Sequence, residues 1–319
     1  VRATNVTSTF MNTPINHTLS VLGEALMDCI AQPDGTLRPL QGGSPYNCAR
    51  ACALQGASTH FLNPFSTDAF GQALKQTLHR EGVRTALADT ALPTSLAVVQ
   101  LIDGQPSYGF YREGIADRDY TVADMVAALK AQAPGVLHTG SLLLIPPEHH
   151  KTLAVLSEAK RLGWTLSVDV NLRPKLAADL GDYVRAVKEV AALADWIKAS
   201  DEDLELLGHA DAVRANADTL ANAFPNASRI ALTFGGNGAY LRVDGQTAQA
   251  PVPTVAIVDT VGAGDTFWGS TLADWVQHPT NASARVATTL TRAMQAAAIN
   301  CTRAGCQPPT TAELDAALA

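Results

Sequence analysis

Asp259-Thr-Val-Gly-Ala-Gly-Asp-Thr-Phe267 stands directly before a run that can form a helix, residues 268–276. Glycines let the backbone approach an anion closely, and the free N–H groups in the first turn of a helix point toward such an anion. The segment therefore predicts a cradle for a phosphate or an oxyanion. The alternative is an ordinary turn in which Asp265 caps the helix, and so short a motif does not exclude it.

A second glycine cluster, Thr233-Phe-Gly-Gly-Asn-Gly238, lies between two apolar runs that resemble strands, residues 230–233 and 239–243. The cluster lacks the Gly-Lys-Ser/Thr ending of a Walker A loop, and a strand follows it where a dinucleotide-binding fingerprint would have a helix. The phosphates of a nucleotide could lie here. A β-hairpin turn explains the cluster about equally well.

The chain from about residue 136 onward alternates short apolar runs with longer amphipathic ones, a pattern typical of strand, helix, strand with a parallel sheet. We predict a three-layer α/β/α core of the Rossmann-like kind. Its further predicted strands are residues 136–138, 166–170 and 196–198, and its predicted helices include residues 149–162 and 180–193.

The front of the chain differs, because residues 94–112 have strand character interrupted by Asp103-Gly104, a hairpin signal. Together with residues 30–40 they predict a small β-sheet lid inserted in one domain, residues 19–319, whose first core strand is residues 19–30. Residues 1–18 are polar, and we expect a disordered leader, neither a signal peptide nor an anchor.

Composition limits the possible partners of the 319-residue chain. Its formal net charge is −7, and Lys and Arg are scattered singly, so neither nucleic acid nor an anionic membrane is expected as a partner. A small anionic ligand must then be held by a local pocket. The five cysteines contain no C-x-x-C pair, which favours neither a disulfide framework nor a zinc site and indicates a reducing, cytoplasmic location.

The two glycine-rich segments, in this order, resemble those of the ribokinase-like (PfkB) carbohydrate kinase family, and the likeness extends over residues 21–307. Gly42-Gly-Ser-Pro-Tyr-Asn47 is similar to the family's Gly-Gly-x-x-x-Asn sugar signature, and Gly23-Glu-Ala-Leu-Met-Asp28 resembles its first strand. The resemblance implies that the sugar hydroxyls are bound by Asp28, Gly42, Gly43 and Asn47. A strand end or a helix cap explains each of these singly, but not the set.

The middle of the chain adds Asp169-Val-Asn171-Leu-Arg173, which resembles a run in fructokinase-like members. The resemblance implies that Asp169 binds substrate, that Asn171 lies by the nucleotide phosphates and that Arg173 contacts the transferred phosphate. Further on, Ser200 and Asp203 occupy the positions of the family's Asn-x-x-Glu element, which holds Mg²⁺ through water. Because Asp is one methylene shorter than Glu, Glu202 is the alternative for the metal.

Phosphoryl transfer needs a base, an anion cradle and a charge-neutralising ion. The resemblance assigns Asp265 as the base that also contacts the sugar, the amides of Gly262, Ala263 and Gly264 as the cradle, and Mg²⁺ as the ion that bridges the ATP phosphates. It also implies a K⁺ ion beside Asp259 and Val261. The residues that it places by the nucleotide, besides Asn171 and Ser200, are Thr233, Gly235, Gly236, Gly238, Gly264 and Asn300.

The stretch Tyr108 to Asp117 resembles the lid region of bacterial fructokinases, where Phe110 and Arg112 would close over the sugar. Together with Glu24 and Asp117, this resemblance favours D-fructose as the substrate, phosphorylated at O6. The rivals within the fold are 2-keto-3-deoxygluconate kinase and aminoimidazole riboside kinase. A non-catalytic sugar- or nucleotide-binding regulator is the alternative from another class. The exposed edges of the lid predict a homodimer.

Overall fold

The computed structural model describes residues 18–102, 105–211 and 216–319, and strands within these ranges form two sheets. The strands are β1 (Thr18–Val21), β2 (Leu26–Ala31), β3 (Leu37–Gly42), β4 (Ser58–Phe61), β5 (Arg84–Thr85), β6 (Ser95–Ile102), β7 (Gln105–Tyr111), β8 (Val136–Gly140), β9 (Thr165–Asp169), β10 (Trp196–Ser200), β11 (Arg229–Thr233), β12 (Ala239–Val243) and β13 (Gln246–Ala250).

Helices cover both faces of the larger sheet. They are α1 (Ser44–Leu54), α2 (Ala69–Arg80), α3 (Val122–Lys130), α4 (His149–Arg161), α5 (Leu180–Ala191), α6 (Asp201–Leu206), α7 (Ala217–Ala221), α8 (Ala263–Gln277), α9 (Val286–Cys301) and α10 (Thr311–Leu318). Within the described ranges, no helix is both long enough and apolar enough to cross a membrane.

The larger sheet has the strand order β13-β12-β11-β10-β9-β8-β1-β4-β5, and its neighbouring strands pair in parallel except for the pairs β11–β12 and β12–β13. The chain adds β4 and β5 on one side of β1 and the strands from β8 onward on the other. The connections that leave β1 and β8 therefore diverge, and a crevice is expected at the carboxyl ends of these strands. Such a crevice is where α/β sheets bind ligands.

Successive side chains along each strand point to opposite faces of the sheet, so the hydrophobic core is divided between the two faces. Ile230 and Leu232 of β11 pack in a cluster with residues of α4 and α5, whereas Ala231 between them packs with residues of α1, α8 and α9. Both faces of a parallel sheet are buried when helices cover both sides, which explains the nearly continuous apolar runs. The predicted three-layer α/β/α core is confirmed.

The predicted strands at residues 136–138, 166–170, 196–198, 230–233 and 239–243 correspond to β8 through β12, and the two predicted helices correspond to α4 and α5. The prediction of one core strand over residues 19–30 is wrong. The main-chain N–H of Leu22 still donates to His138 in the large sheet, but that of Gly23 donates to the side chain of Asn63. The chain then leaves the large sheet, and β2 belongs to the small one.

The small sheet has the order β3-β2-β6-β7 and contains both predicted lid segments. Its strand β2 pairs antiparallel with β3 and parallel with β6. The predicted turn at Asp103-Gly104 and nearly all of the predicted leader, residues 1–17, lie outside the described residues. The boundaries of a single domain over residues 19–319 stay a prediction.

The helices α1 and α8 pack closely because α8 has a glycine at their contact. A Cβ atom on Gly269 would lie 2.5 Å from the Cβ of Ala51 and 2.8 Å from the carbonyl oxygen of Cys48. Without a side chain at this position, the helices approach each other backbone to backbone. Their first turns thereby meet at the carboxyl edge of the sheet.

Candidate active site

Asp265 lies half-buried in the first turn of α8, beside the first turn of α1. Its Oδ1 accepts a hydrogen bond of 2.7 Å from the Ser44 hydroxyl, and its Oδ2 accepts one of 2.9 Å from the Asn47 amide. The positive ends of two helix dipoles also favour a negative charge here. This carboxylate is thus oriented by two donors and held where anions are favoured.

Asn171 extends this hydrogen-bonded chain to the loop after β9, since its amide donates to the Ser44 hydroxyl at 2.8 Å. Its backbone has a φ of 37°, in the left-handed region that asparagine tolerates better than most residues. The sequence prediction placed Asn171 by the nucleotide and did not select Ser44. The structure brings Asn171, Ser44 and Asp265 together in one line of hydrogen bonds.

The predicted anion cradle, the backbone of Gly262, Ala263, Gly264 and Asp265, begins in a left-handed conformation. Gly262 has a φ of 73°, and a Cβ atom on it would lie 2.2 Å from the sulfur of Cys306. Only glycine fits such a position without strain. The N–H of Ala263 donates to the carbonyl of Thr260 at 3.2 Å, while those of Gly264 and Asp265 belong to the first helical turn, where N–H groups have no partner within the helix.

Asp259 and Asn300 fix the loop that leads into the cradle. The carboxylate of Asp259 accepts from the main-chain N–H of Val261 at 3.0 Å and from that of Gly305 at 2.8 Å. Asn300 is fully buried; its amide donates to the carbonyl of Val261 at 2.8 Å and accepts from the N–H of Gln307 at 2.7 Å. These bonds join the loop before α8 to the loop after α9. The roles of Asn300 at the nucleotide and of Asp259 and Val261 at K⁺ stay predictions.

Asp28 of β2 brings a carboxyl group from the small sheet to this region. A Cβ atom on Gly42 would lie 2.2 Å from its Oδ2, so glycine at position 42 leaves room for the carboxyl group. Burial raises the pKa of Asp28 to about 6; Arg173 opposes the shift and Asp265 adds to it. Asp28, Arg173 and Asp265 therefore lie within electrostatic range of one another.

Asn47 presents a polar atom that has no protein partner among the described residues. Its amide nitrogen is used by Asp265, while its Oδ1 is buried and accepts no hydrogen bond. Gly43 has a φ of 107°, and a Cβ atom on it would lie 2.6 Å from the carbonyl oxygen of Glu24. The turn at Gly43 thus places Asn47 in the first turn of α1, where its Oδ1 can still accept a hydrogen bond.

Glu24, Arg112 and Asp117 form a group under the small sheet. Glu24 is buried, and its Oε1 accepts from the main-chain N–H of Ser44 at 3.2 Å. Burial raises the pKa of Glu24 to about 7 and that of Asp117 to about 6, and Arg112 opposes both shifts. The guanidinium of Arg112, whose Nε and Nη2 are buried, therefore lies near two carboxyl groups. The other predicted lid residue, Phe110 of β7, packs against the cluster of Leu26, Ala97 and Leu142.

Asp169, at the end of β9, is buried beside Lys198 of β10. It is 1% exposed, and its two oxygens accept hydrogen bonds of 2.9 and 3.0 Å from the ammonium group of Lys198. The predicted contact of Asp169 with substrate stays a prediction. Lys198 was missed by the sequence prediction, although a single lysine within the apolar run of β10 is the signal that could have found it.

The acidic residues of α6 provide few free metal ligands. The oxygens of Asp203 accept from the main-chain N–H groups of Leu172 at 2.7 Å and of Ser200 at 2.8 Å, and the Ser200 hydroxyl accepts from the N–H of Asp203. Asp203 and Ser200 thus cap α6, while Glu202 is exposed. No cluster of three His, Cys, Asp or Glu residues in the described ranges could hold a metal ion. This donor set fits an ion held mostly by phosphates and water.

The glycine segment of residues 233–238 connects the antiparallel strands β11 and β12 at the same edge of the sheet. Gly238 has a φ of 101°, and a Cβ atom on it would lie 2.2 Å from the carbonyl oxygen of Ala250. Gly235 and Gly236 are exposed, and a Cβ atom on either would meet nothing within 4 Å. The segment is a turn, as the alternative interpretation had it, and it also leaves open backbone where a phosphate could lie, next to Thr233.

Comparisons with known proteins agree with this geometry. Residues 16–313 match the family model described as pfkB family carbohydrate kinase. The chain is 34% identical over 259 residues to a fructokinase of Rhizobium leguminosarum bv. trifolii, which covers 79% of this chain and 77% of that relative.

Two crystal structures are similar to this fold, each with 26% sequence identity. A fructokinase with bound ATP from Xylella fastidiosa has a TM-score of 0.82, with 95% of this chain and 98% of that chain covered. A fructokinase from Vibrio cholerae O395 in its fructose, ADP and calcium ion bound form has a TM-score of 0.81, with 94% and 98% covered. The ribokinase-like fold is thereby confirmed.

Proposed function

Since the chain belongs to the pfkB family of carbohydrate kinases, we propose that it transfers the γ-phosphate of ATP to the 6-hydroxyl of D-fructose. The observation that carries the proposal is the carboxylate of Asp265, which Ser44 and Asn47 hold at the first turn of α8. A base fixed directly beside an anion cradle is what phosphoryl transfer to a hydroxyl requires. The similar fructokinases, one with fructose and ADP and another with ATP, support the choice of substrates.

In the reaction that we propose, Asp265 takes the proton from O6 as O6 bonds to the γ-phosphorus. The bond from that phosphorus to the β,γ-bridging oxygen breaks, and ADP leaves with the electron pair. The sugar is held by Asp28 and Gly42 of the small sheet, by Gly43 just before α1, and by Asn47 of α1, whose free Oδ1 can accept from a hydroxyl. Phe110 and Arg112 cover it from the lid.

The negative charge that develops on the phosphoryl group is stabilised by the amides of Gly262, Gly264 and Asp265 at the start of α8, beside the N–H of Ala263, which donates to the carbonyl of Thr260. Arg173 is exposed at the loop after β9 and can add a charged donor from the other side. The nucleotide lies along residues 233–238, with Gly235, Gly236 and Gly238 allowing close approach of its phosphates.

The residues at α6 fit a divalent ion, which we propose is Mg²⁺. Glu202 would hold it through water, and Asp203 and Ser200 would shape the loop around it. When bound, Mg²⁺ neutralises charge on the ATP phosphates. For K⁺, the carboxylate of Asp259 and the carbonyl of Val261 are the candidate ligands, since carboxylate and carbonyl oxygens bind such ions.

Charge favours a neutral sugar over a sugar acid at this site. Acidic side chains outnumber basic ones among the residues that surround the proposed sugar site, and Arg112 already lies near Glu24 and Asp117. A substrate carboxylate would enter an environment of like charge, which is unfavourable. The acidic residues concerned are Glu24, Asp28, Asp117 and Asp265, and the basic ones are Arg112 and Arg173.

A panel of sugars tests the substrate. We expect ATP-dependent phosphorylation of fructose with kcat/KM at least about 100-fold above that of 2-keto-3-deoxygluconate, ribose or aminoimidazole riboside. A substrate of the wrong shape leaves a few buried polar groups of the site without partners, and this is enough to weaken transition-state binding by that factor. Coupling between ³¹P and ¹³C should place the product's phosphate on C6. A preference for another sugar overturns the proposal that fructose is the substrate. Binding of sugar or ATP without turnover would favour the alternative, a non-catalytic sugar- or nucleotide-binding regulator.

We further propose a cytoplasmic homodimer joined through the small sheet. The edge strands of this sheet, β3 and β7, carry the exposed apolar side chains Leu37 and Tyr111. Exposed edges and apolar groups favour pairing with a second copy. The five cysteines are free thiols, as a reducing cytoplasm requires.

A further inference from the structure

Lys198 and Asp169 form a buried ion pair between neighbouring strands. They are register partners in the parallel pair of β9 and β10, and the Lys198 ammonium group lies 2.9 and 3.0 Å from the two carboxylate oxygens. The side chains are only 5% and 2% exposed. A lysine so completely withdrawn from water requires a physical reason.

Stability does not supply that reason. Removing an ammonium and a carboxylate from water costs about as much as their mutual attraction returns, and well-packed neutral side chains in such a place are often as stable. On the same face of the sheet, Lys198 has Trp196 two positions before it in β10 and its register partner Ala231 in β11, both buried and apolar. A methionine at position 198 would suit this environment at least as well.

The position of the ammonium group points instead to the anion cradle. A Cβ atom on Gly264 would lie 3.6 Å from Nζ of Lys198 and 3.8 Å from its Cε, so the end of the lysine packs against the backbone of the first turn of α8. Asp265 is the next residue in that turn. The ion pair thus lies under the cradle, on the side away from solvent.

The charges around the pair keep the lysine protonated. Burial lowers the pKa of Lys198, but the carboxylates of Asp169, Asp203 and Asp265 outweigh burial and raise it above its ordinary value. Burial raises the pKa of Asp169 to about 6, and Lys198 opposes that shift. The ammonium is therefore a permanent positive charge at neutral pH, and Asp169 fixes where it lies.

We propose that Lys198, held in place by Asp169, is a positioning residue for phosphoryl transfer. It supports the backbone of Gly264 and places a positive charge under the cradle, where negative charge gathers during transfer. In a buried site such a fixed charge acts strongly on its neighbours. The inference rests on the proposed kinase function, but not on which sugar is phosphorylated.

A paired replacement separates this role from a structural one. In Lys198→Met/Asp169→Asn both charges are removed together, so neither is left buried without its partner. We expect kcat to fall by about 10- to 100-fold, as displacement of a catalytic group does. The KM for fructose and the Kd for ADP, measured by calorimetry, should change by less than about threefold.

The matched control is Lys160→Met, which removes a lysine from an exposed pair with Asp195 near the opposite ends of the same strands. It should leave kcat unchanged. If the methionine variant does not fold, Lys198→Gln/Asp169→Asn, whose amides can bond to each other, gives the same comparison. A folded double variant with kcat within about threefold of wild type overturns the inference.

The pH profile of kcat/KM supplies a second readout. Asp169→Asn leaves the ammonium charge uncompensated beside Asp265, so we expect the acidic limb to move to lower pH by about 0.5 to 1 unit. Adding Lys198→Met to the Asp169→Asn variant should move the acidic limb back toward its wild-type pH. A purely structural pair would lower activity without this reversal. Within the described residues, Asp265 lies in electrostatic range of Asp28 of β2, Asp169 of β9, Lys198 of β10 and Cys306 in the loop after α9.

The wild-type enzyme, assayed in parallel, shows whether the proposed function is wrong or only the role of Lys198. If it phosphorylates no sugar with ATP, the proposed function is wrong. If it turns over while the double variant keeps its kcat and the acidic limb does not reverse, only the role of Lys198 is wrong. If another sugar is preferred, the same comparison is made with that sugar.

Discussion

Asp265→Asn should reduce kcat by about 10³-fold or more, because the amide cannot take the proton from the attacking hydroxyl. The replacement has nearly the same shape, so its oxygen can still accept the hydrogen bond from Ser44. The KM for fructose should therefore change only a few-fold, as expected when an interaction of the transition state is lost. Steady-state kinetics with a coupled ADP assay measure both values.

Asp315→Asn is the control for this replacement. Asp315 is an exposed aspartate of α10 paired with Arg292, and its loss should leave kcat unchanged. Circular dichroism and the melting temperature should be alike for wild type and both variants. A folded Asp265→Asn enzyme with kcat near that of wild type would show that Asp265 is not the base.

Gly262→Ala should reduce kcat by about 10²- to 10³-fold, the range for the loss of oxyanion stabilisation. The added Cβ would lie 2.2 Å from the sulfur of Cys306, and the φ of 73° is strained for any residue with a side chain. The first turn of α8 must shift, and its amides with it. We expect a lower melting temperature as well as the loss of kcat.

A matched pair of variants separates the clash from the backbone strain. Gly245→Ala has a similar φ of 84° but meets nothing within 4 Å, so it should cost only the strain of about 1–2 kcal/mol and keep its kcat. Adding Cys306→Gly to Gly262→Ala removes the clashing atoms and should recover part of the activity. If Gly262→Ala alone behaves like Gly245→Ala, the cradle does not depend on the close contact with Cys306.

The core strands and helices could be predicted from the sequence because periodicity and burial agree in them. The apolar runs of β8 to β12 are short and bounded, and α4 and α5 carry regular amphipathic faces. The prediction of one strand over residues 19–30 was wrong, because an apolar run does not show that β1 and β2 belong to different sheets. The separation depends on Asn63, whose side chain binds the N–H of Gly23 from 40 positions away.

The candidate site was predicted where short motifs carry the chemistry, and missed where the chemistry comes from contacts between distant residues. Asp265 and Asn47 stand in glycine-rich segments with a recognisable spacing. Ser44 stands 221 positions before Asp265, and its hydrogen bond depends on the close packing of α1 and α8. Lys198 likewise acquires its position from the register of β10 with β9, which no local pattern in the sequence specifies.

A crystal structure with fructose and a non-hydrolysable ATP analogue tests the central claim most directly. The claim is that Asp265 faces the hydroxyl that is phosphorylated. We predict O6 of fructose within about 3 Å of a carboxylate oxygen of Asp265, the range of a strong hydrogen bond, with the γ-phosphate over the first turn of α8. A different hydroxyl beside Asp265 would contradict the proposed substrate position, and a sugar bound away from Asp265 would contradict its role as the base.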